Sequence, residues 1–259
     1  MPEVVKFEKP NEITVDPCGF VRTQTAEEIL RSLVFVRSIN GPAITLISGA
    51  SGIGKTETLL HYERRNWDTS IYVSVAKGEG NPFHIASQIL EKFRYDEVRG
   101  KGLGELRQVA GQFIGSQRIL LVDEAQNLFQ KHKLSGTKGS SFGWLVAASD
   151  AGGFDLALCG DLSLQSIITQ FPGLLSRVRQ PVFIKATSQS DIAAIAASEG
   201  LFEAAELNLL SSIAALPGGL RNVDNVLRMA ALFAGKDRIT AGHLKAAIQD
   251  LKLQPLGRK

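Results

Sequence analysis

Five short runs rich in apolar and β-branched residues lie within the first 186 residues, and segments with helical spacing of apolar positions separate them. The runs span 43–48, 70–75, 119–122, 154–159 and 181–184. A strand that is apolar along its whole length is typical of a parallel sheet that is covered by helices on both faces. The pattern therefore predicts an α/β domain built on a five-stranded parallel sheet flanked by helices.

The remainder of the chain shows helical spacing alone. Four helices are predicted there by apolar stripes over 190–199, 204–215, 220–234 and 240–251. Ser188 and Thr240 are N-cap candidates for two of these helices. Residues 1–24 show little periodicity, which predicts an extended arm. We therefore expect an arm over 1–24, an α/β domain over 25–186 and a small all-helical domain over 187–259.

A glycine-rich turn directly follows the first apolar run. It matches the P-loop pattern G-x-x-x-x-G-K-[ST], and the strand before it and the helix after it are both predicted. Glycines let the backbone curl so that its N–H groups point into one concavity, which suits a polyphosphate. We expect Lys55 to reach the β and γ phosphates of ATP and Thr56 to offer its hydroxyl to Mg²⁺. The residues expected to contact the nucleotide are Gly49, Ala50, Ser51, Gly52, Ile53, Gly54, Lys55 and Thr56.

A pair of carboxylates, Asp123 and Glu124, ends the third apolar run. Ligands of parallel α/β sheets bind at the carboxyl ends of the strands. We expect Asp123 to hold Mg²⁺ through its water shell and Glu124 to act as the general base toward the attacking water. The alternative is that the two acids cap the strand and start the next helix.

Polar residues at three further places are candidates for contact with a bound nucleotide. Asp161 follows the fourth apolar run and could sense the γ-phosphate, or it could cap the helix that begins near Leu162. Arg177 could reach a nucleotide on a neighbouring subunit, with Arg179 as the second choice. Arg221 stands at a predicted helix start, where its charge opposes the helix dipole, which favours a functional role. For these arginines the alternative is an ordinary solvated surface position.

A polar loop between residues 130 and 141 carries Lys131, Lys133 and Lys138. These cations could contact the phosphates of a nucleic-acid backbone. An ordinary solvated loop is the alternative. The formal net charge of +3 permits nucleic-acid binding without requiring it.

Composition limits the class of protein. Apolar residues make up 44% and charged residues 21% of the chain, as in ordinary globular proteins. The two cysteines lie far apart, which argues against a disulfide or a cysteine metal site. No uncharged apolar run approaches the length of a membrane helix, and the charged N-terminal residues argue against a signal peptide. We expect a cytoplasmic protein with no membrane partner.

Taken in this order, the motifs resemble those of the AAA+ ATPases. The resemblance assigns Walker A to the P-loop, Walker B to Ile119–Glu124, sensor 1 to Asp161, the arginine finger to Arg177, and sensor 2 of a helical lid to Gly218–Arg221. The arm with Val21–Thr23, the Val-Asp-Glu-Ala-Gln126 form of Walker B and the compact lid are similar to the transposition ATPases. These comprise phage Mu B with its TniB and TnsC relatives, and ATPases of the ExeA type share much of the pattern.

The resemblance implies an ATPase that needs ATP and Mg²⁺ and binds double-stranded DNA without sequence preference. It also implies homo-oligomers or helical filaments, selection of the transposition target and stimulation of a transposase. An AAA+ ATPase that acts on a protein or secretion partner without binding DNA is the alternative. A small-molecule kinase fits poorly, because it would leave the Asp-Glu pair, the arginines and the helical lid unexplained.

Overall fold

The structure, a computed structural model, describes residue 16 and residues 19–95, 97–129 and 140–253. These residues fall into two compact units. One contains residues 25–186, and the other joins the described residues before Thr25 to those after Ala186. Each unit has an apolar interior of its own, as a domain requires.

The larger unit is built on the predicted five-stranded parallel sheet, which the structure confirms. The strands lie side by side in the order β2, β3, β4, β1, β5. Their bounds are β1 (Ile44–Gly49), β2 (Ser70–Ser74), β3 (Ile119–Asp123), β4 (Asp155–Gly160) and β5 (Val182–Ile184). Every residue of β1, β3 and β4 is buried, because helices cover both faces.

Seven α-helices of the described residues flank this sheet. They are α1 (Gln24–Arg37), α2 (Lys55–Arg65), α3 (Pro82–Lys92), α4 (Leu103–Ile114), α5 (Ser140–Gly152), α6 (Ser163–Ile168) and α7 (Pro172–Leu175). Successive strand residues point to opposite faces, so Leu46 packs in the cluster that includes α3, α4 and α5. Its neighbour Ile47 packs in the cluster that includes α1 and α2.

The smaller unit contains the four predicted helices. They are α8 (Gln189–Ser198), α9 (Ala204–Ala214), α10 (Leu220–Ala234) and α11 (Ala241–Asp250). The predicted caps are confirmed, since Ser188 Oγ accepts the Asp191 N–H at 3.0 Å and Thr240 Oγ1 accepts the His243 N–H at 3.4 Å. Within the described part of the chain, no helix is long and apolar enough to cross a membrane.

Helices α4 and α5 touch backbone to backbone at Gly111 and Gly152. A Cβ placed on Gly152 would lie 2.6 Å from the Gly111 carbonyl oxygen and 2.7 Å from its Cα. Because no side chain can move aside there, Gly152→Ala should lower the free energy of unfolding by about 1–3 kcal/mol. The control Gly143→Ala lies in the same helix, meets nothing within 4 Å and should not destabilise the protein. Urea unfolding that gave both variants equal stability would contradict this contact.

Candidate nucleotide site

The P-loop joins the end of β1 to the start of α2. Gly52 and Gly54 have φ angles of 77° and 94°, in the left-handed region that favours glycine. A Cβ on Gly49 would lie 2.4 Å from Ile53 Cδ1 and 2.9 Å from the Ile184 carbonyl oxygen. The loop is therefore packed tightly against its own buried isoleucine and against β5.

Lys55 folds back over this loop. Its Nζ donates to the carbonyl oxygens of Gly49 and Ala50, each at 2.8 Å. The ammonium group thus lies above the glycine-rich turn, as a phosphate-binding lysine of a P-loop must. The curled backbone and this cation together suit a polyphosphate ligand.

Asp123 connects the P-loop to the end of β3. Its side chain is buried, and Thr56 Oγ1 donates to its Oδ2 at 2.7 Å. The hydroxyl of Tyr72 donates to the same oxygen at 3.0 Å, and the N–H of Glu124 donates to Oδ1 at 2.9 Å. The two residues that the sequence assigns to Mg²⁺, Thr56 and Asp123, are therefore in direct contact.

The donor set at Asp123 fits a magnesium ion. A carboxylate and a hydroxyl are hard oxygen ligands, which Mg²⁺ prefers. No cluster of three or more histidine, cysteine or acidic side chains that could hold a metal occurs among the described residues. An ion here would accordingly draw its remaining ligands from nucleotide phosphates and water, as Mg²⁺ usually does.

Tyr72 and Cys159 surround Asp123 from the neighbouring strands β2 and β4. Burial, with the nearby Asp123 charge as a second cause, raises the pKa of the Tyr72 hydroxyl. The same two causes raise the pKa of the Cys159 thiol. Both groups therefore stay protonated at neutral pH and face the carboxylate as neutral groups. The sequence did not predict that these two residues contact Asp123. The only signal was a hydroxyl-bearing residue, Tyr72, inside a predicted strand.

Glu124 has strained backbone geometry. Its φ is 52°, which is uncommon for a residue other than glycine and concentrates at functional sites. Its exposed side chain accepts a hydrogen bond from Nε2 of Gln126. The turn after it is a 3-10 helix, Ala125–Phe129, where the sequence predicted a helix. Asn127 Nδ2 fixes that turn by donating to the Val75 carbonyl oxygen at 2.7 Å.

Asp161 immediately follows β4, next to the P-loop strand. Its Oδ1 accepts the N–H of Ser163 at 2.8 Å and also the Ser163 hydroxyl. This contact lies at the helix start, as in the alternative prediction, although Leu162 and not Asp161 is the N-cap residue of α6. The Asp161 carbonyl oxygen accepts the hydroxyl of Ser48, the residue before the P-loop, at 2.7 Å.

Arg177 and Arg179 follow α7 on the exposed surface. Arg177 Nη1 donates to both carboxylate oxygens of Asp150 in α5, at 2.7 and 2.8 Å. Arg179 Nη1 donates to the Ser176 carbonyl oxygen at 2.9 Å. Asp150 and the Arg177 side chain are each about half exposed, so this ion pair contributes little stability.

Arg221 lies in the smaller unit, in the first turn of α10. Gly218 and Gly219 before it have φ angles of 119° and 52°. The Asn222 amide donates to the Pro217 carbonyl oxygen at 3.0 Å and fills the space that a Cβ on Gly218 would occupy. The glycine pair thus shapes the turn before α10, and the Arg221 side chain that follows it is exposed. The three predicted DNA-contacting residues, Lys131, Lys133 and Lys138, lie outside the described residues.

Comparison with known families identifies the class first. Residues 38–168 match the family described as AAA domain. Residues 176–251 match the family described as Mu B transposition protein, C terminal. Together with the parallel sheet, the P-loop and the carboxylate pair, the first match defines the protein as an AAA+ ATPase.

Two relatives identify the family within that class. The proteins named ATP-dependent target DNA activator B of Escherichia phages Mu and D108 are each 31% identical over 249 residues. The match covers 92% of this chain and 75% of each relative. The chain therefore belongs to the family of the phage Mu B transposition protein.

Solved structures share the fold at low sequence identity. The Aeropyrum pernix ORC2 protein in its ADP form matches with a TM-score of 0.66 and 17% identity, over 93% of this chain and 71% of that chain. The ORC1 protein of the same organism, in complex with DNA, has a TM-score of 0.64 and 19% identity, over 91% and 70%. The Thermotoga maritima RuvB branch migration motor has a TM-score of 0.55 and 13% identity, over 92% and 72%. These similarities show the AAA+ fold.

Glu124→Gln and Lys55→Ala separate turnover from nucleotide binding. Glu124→Gln should keep ATP affinity and lose turnover by roughly 10²-fold or more, because an amide cannot accept the proton from water. Lys55→Ala should lose ATP affinity, because it removes the cation above the P-loop. A fluorescent ATP analogue measures binding, and phosphate release measures turnover. Retained hydrolysis in Glu124→Gln would remove this residue from the role of base.

Proposed function

We propose that the protein is a DNA-binding ATPase that assembles oligomers or filaments on double-stranded DNA and regulates transposition. In this role it selects the target without sequence preference and stimulates a transposase. The observation that carries the proposal is the contact of Thr56 with Asp123 beside Glu124. It occurs in a chain that is 31% identical to proteins named as ATP-dependent target DNA activators.

The proposed site residues have different roles in ATP hydrolysis. The P-loop backbone and Lys55 bind the phosphates of ATP, and Thr56 with Asp123 holds Mg²⁺, which neutralises charge on the phosphates when bound. Glu124 orients a water molecule and accepts its proton.

We further propose residues 25–186 as the nucleotide-binding domain and residues 187–259 as the lid, after an arm over 1–24. Asp161, directly after β4, contacts the bound nucleotide as the sensor of its γ-phosphate.

Two arginines extend this proposal to a shared site. Arg177 acts as the finger that contacts a nucleotide on a neighbouring subunit, and Arg221 contacts nucleotide from the lid. The exposure of Arg177 supports this role, because a half-exposed ion pair with Asp150 exchanges partners at little energetic cost. Hydrolysis then depends on assembly, so ATP acts as the switch for binding and release of DNA.

DNA binding is tested by electron microscopy and by titration against salt. With duplex DNA and a slowly hydrolysed ATP analogue, the protein should form oligomers on the DNA that are absent without nucleotide. If Lys131, Lys133 and Lys138 each contact one phosphate, these three contacts should make the DNA association constant fall about 40-fold between about 50 and 200 mM salt. Replacing all three by alanine should remove that share of the salt dependence. Absence of DNA association at low salt with the analogue would contradict the proposal.

The shared site is tested by mixing inactive subunits. Arg177→Ala and Lys55→Ala should each fail to hydrolyse ATP alone, because one lacks the finger and the other the phosphate cation. In an equal mixture, roughly a quarter of wild-type turnover should return, since an intact P-loop then meets an intact finger at random. Arg179→Ala is the control and should stay active. A mixture as inactive as its components would contradict action between subunits, and an active Arg177→Ala protein would remove Arg177 from the role of finger.

A further inference from the structure

Gln126 makes two hydrogen bonds that join the proposed base to the neighbouring strand. Its Nε2 donates to Oε2 of Glu124, two residues before it in the chain. Its Oε1 accepts the backbone N–H of Asp161 at 3.2 Å, just beyond the end of β4. These partners fix the orientation of the amide, because a carboxylate only accepts and a backbone N–H only donates. A glutamate at this position could not make both bonds.

The peptide that Gln126 contacts is itself tied to the P-loop strand. The carbonyl oxygen of Asp161 accepts the hydroxyl of Ser48 at 2.7 Å. Ser48 is fully buried in β1 and directly precedes Gly49, the first residue of the P-loop. A continuous series of hydrogen bonds therefore runs from Ser48 through the Asp161 peptide and the Gln126 amide to the Glu124 carboxylate.

Gly160 leaves room for this amide. A Cβ on Gly160 would lie 2.4 Å from Oε1 of Gln126, while its next contact, Leu164 Cδ2, is at 3.0 Å. The φ of Gly160 is not in the left-handed region, so its backbone does not require glycine. A methyl group at this position would displace the Gln126 amide and would also press on the Leu164 side chain.

From these contacts we infer that Gln126 is a positioning residue. It holds the Glu124 carboxylate at a fixed position relative to the P-loop. The exposed carboxylate of Glu124 extends from a backbone with φ of 52° and has several rotamers available to it. A hydrogen bond to an amide that is anchored at its other end restricts those rotamers. Because catalysis by a general base depends on its placement, loss of the anchor should slow turnover without weakening ATP binding. The inference rests on the proposed role of Glu124.

Two variants break the same contact by different means. Gln126→Ala removes the amide, and Gly160→Ala keeps the amide but displaces it with the added methyl group. Each should lower kcat by roughly tenfold or more, with KM and ATP affinity within about twofold of the wild type, the pattern of an interaction that matters in the transition state. The control Gln112→Ala removes an exposed glutamine from α4 and should change nothing. The double variant should be no slower than the slower single variant, because one link is lost in each case.

A spectroscopic readout tests the contact independently of turnover. The side-chain amide resonances of Gln126 are assigned by their absence from the ¹⁵N–¹H spectrum of Gln126→Ala. They should shift in Glu124→Gln and in Gly160→Ala, and stay unchanged in Gln112→Ala. If they do not move in either of the first two variants, the contact is absent and the inference fails.

The outcomes separate this inference from the proposed function. If Glu124→Gln is inactive while Gln126→Ala and Gly160→Ala hydrolyse ATP at the wild-type rate, Glu124 remains the base and the positioning role fails alone. Additive losses in the double variant would also overturn it. If Glu124→Gln hydrolyses ATP normally, the assignment of the base fails and the role of Gln126 fails with it.

Discussion

The buried carboxylate of Asp123 is the constraint on which the site depends. A carboxylate removed from water is costly unless donors surround it. Here they come from three places: Thr56 at the start of α2, Tyr72 in β2 and the peptide N–H of Glu124. The hydrogen bonds to this one carboxylate therefore hold the P-loop, the edge strand β2 and the carboxyl end of β3 together. The same carboxylate contacts Thr56 of the P-loop, the second residue that we propose for Mg²⁺.

The backbone conformations of the P-loop and of the residue after β3 help to keep the proposed site residues in this arrangement. Positive φ angles occur at Gly52 and Gly54 in the loop and at Glu124 after β3. For the glycines this conformation costs little, whereas for Glu124 it stores strain that the surrounding contacts must hold. Asn127 and Gln126 supply such contacts from within the 3-10 turn. The predicted base therefore combines an uncommon backbone conformation with a side chain that accepts a hydrogen bond from Gln126.

Much of this architecture follows from local sequence rules. The strands were predictable because buried parallel strands are apolar throughout, and the P-loop because its chemistry demands a fixed spacing. The predicted first and last residues of the helices were less accurate. For example, the apolar stripe over 190–199 predicts a helix that the structure places at Gln189–Ser198.

The contacts between distant residues could not be predicted from the sequence. Tyr72 meets Asp123 only because β2 pairs with β3, and no local pattern marks that pairing. Arg177 meets Asp150 across 27 residues, and Gln126 meets the Asp161 peptide across 35. Such contacts depend on strand order and helix packing, which periodicity alone does not specify. Motifs therefore predict the reacting groups, and the fold shows which residues contact them.

The central claim, that Asp123 joins a magnesium ion to the P-loop, is tested most directly by measuring ATP affinity with and without Mg²⁺. The wild-type protein should bind ATP more tightly when Mg²⁺ is present. Asp123→Asn should lose most of this enhancement and keep the affinity measured without the ion, because an amide is a weaker ligand for a hard cation. An Asp123→Asn protein that retained the full enhancement by Mg²⁺ would contradict the account.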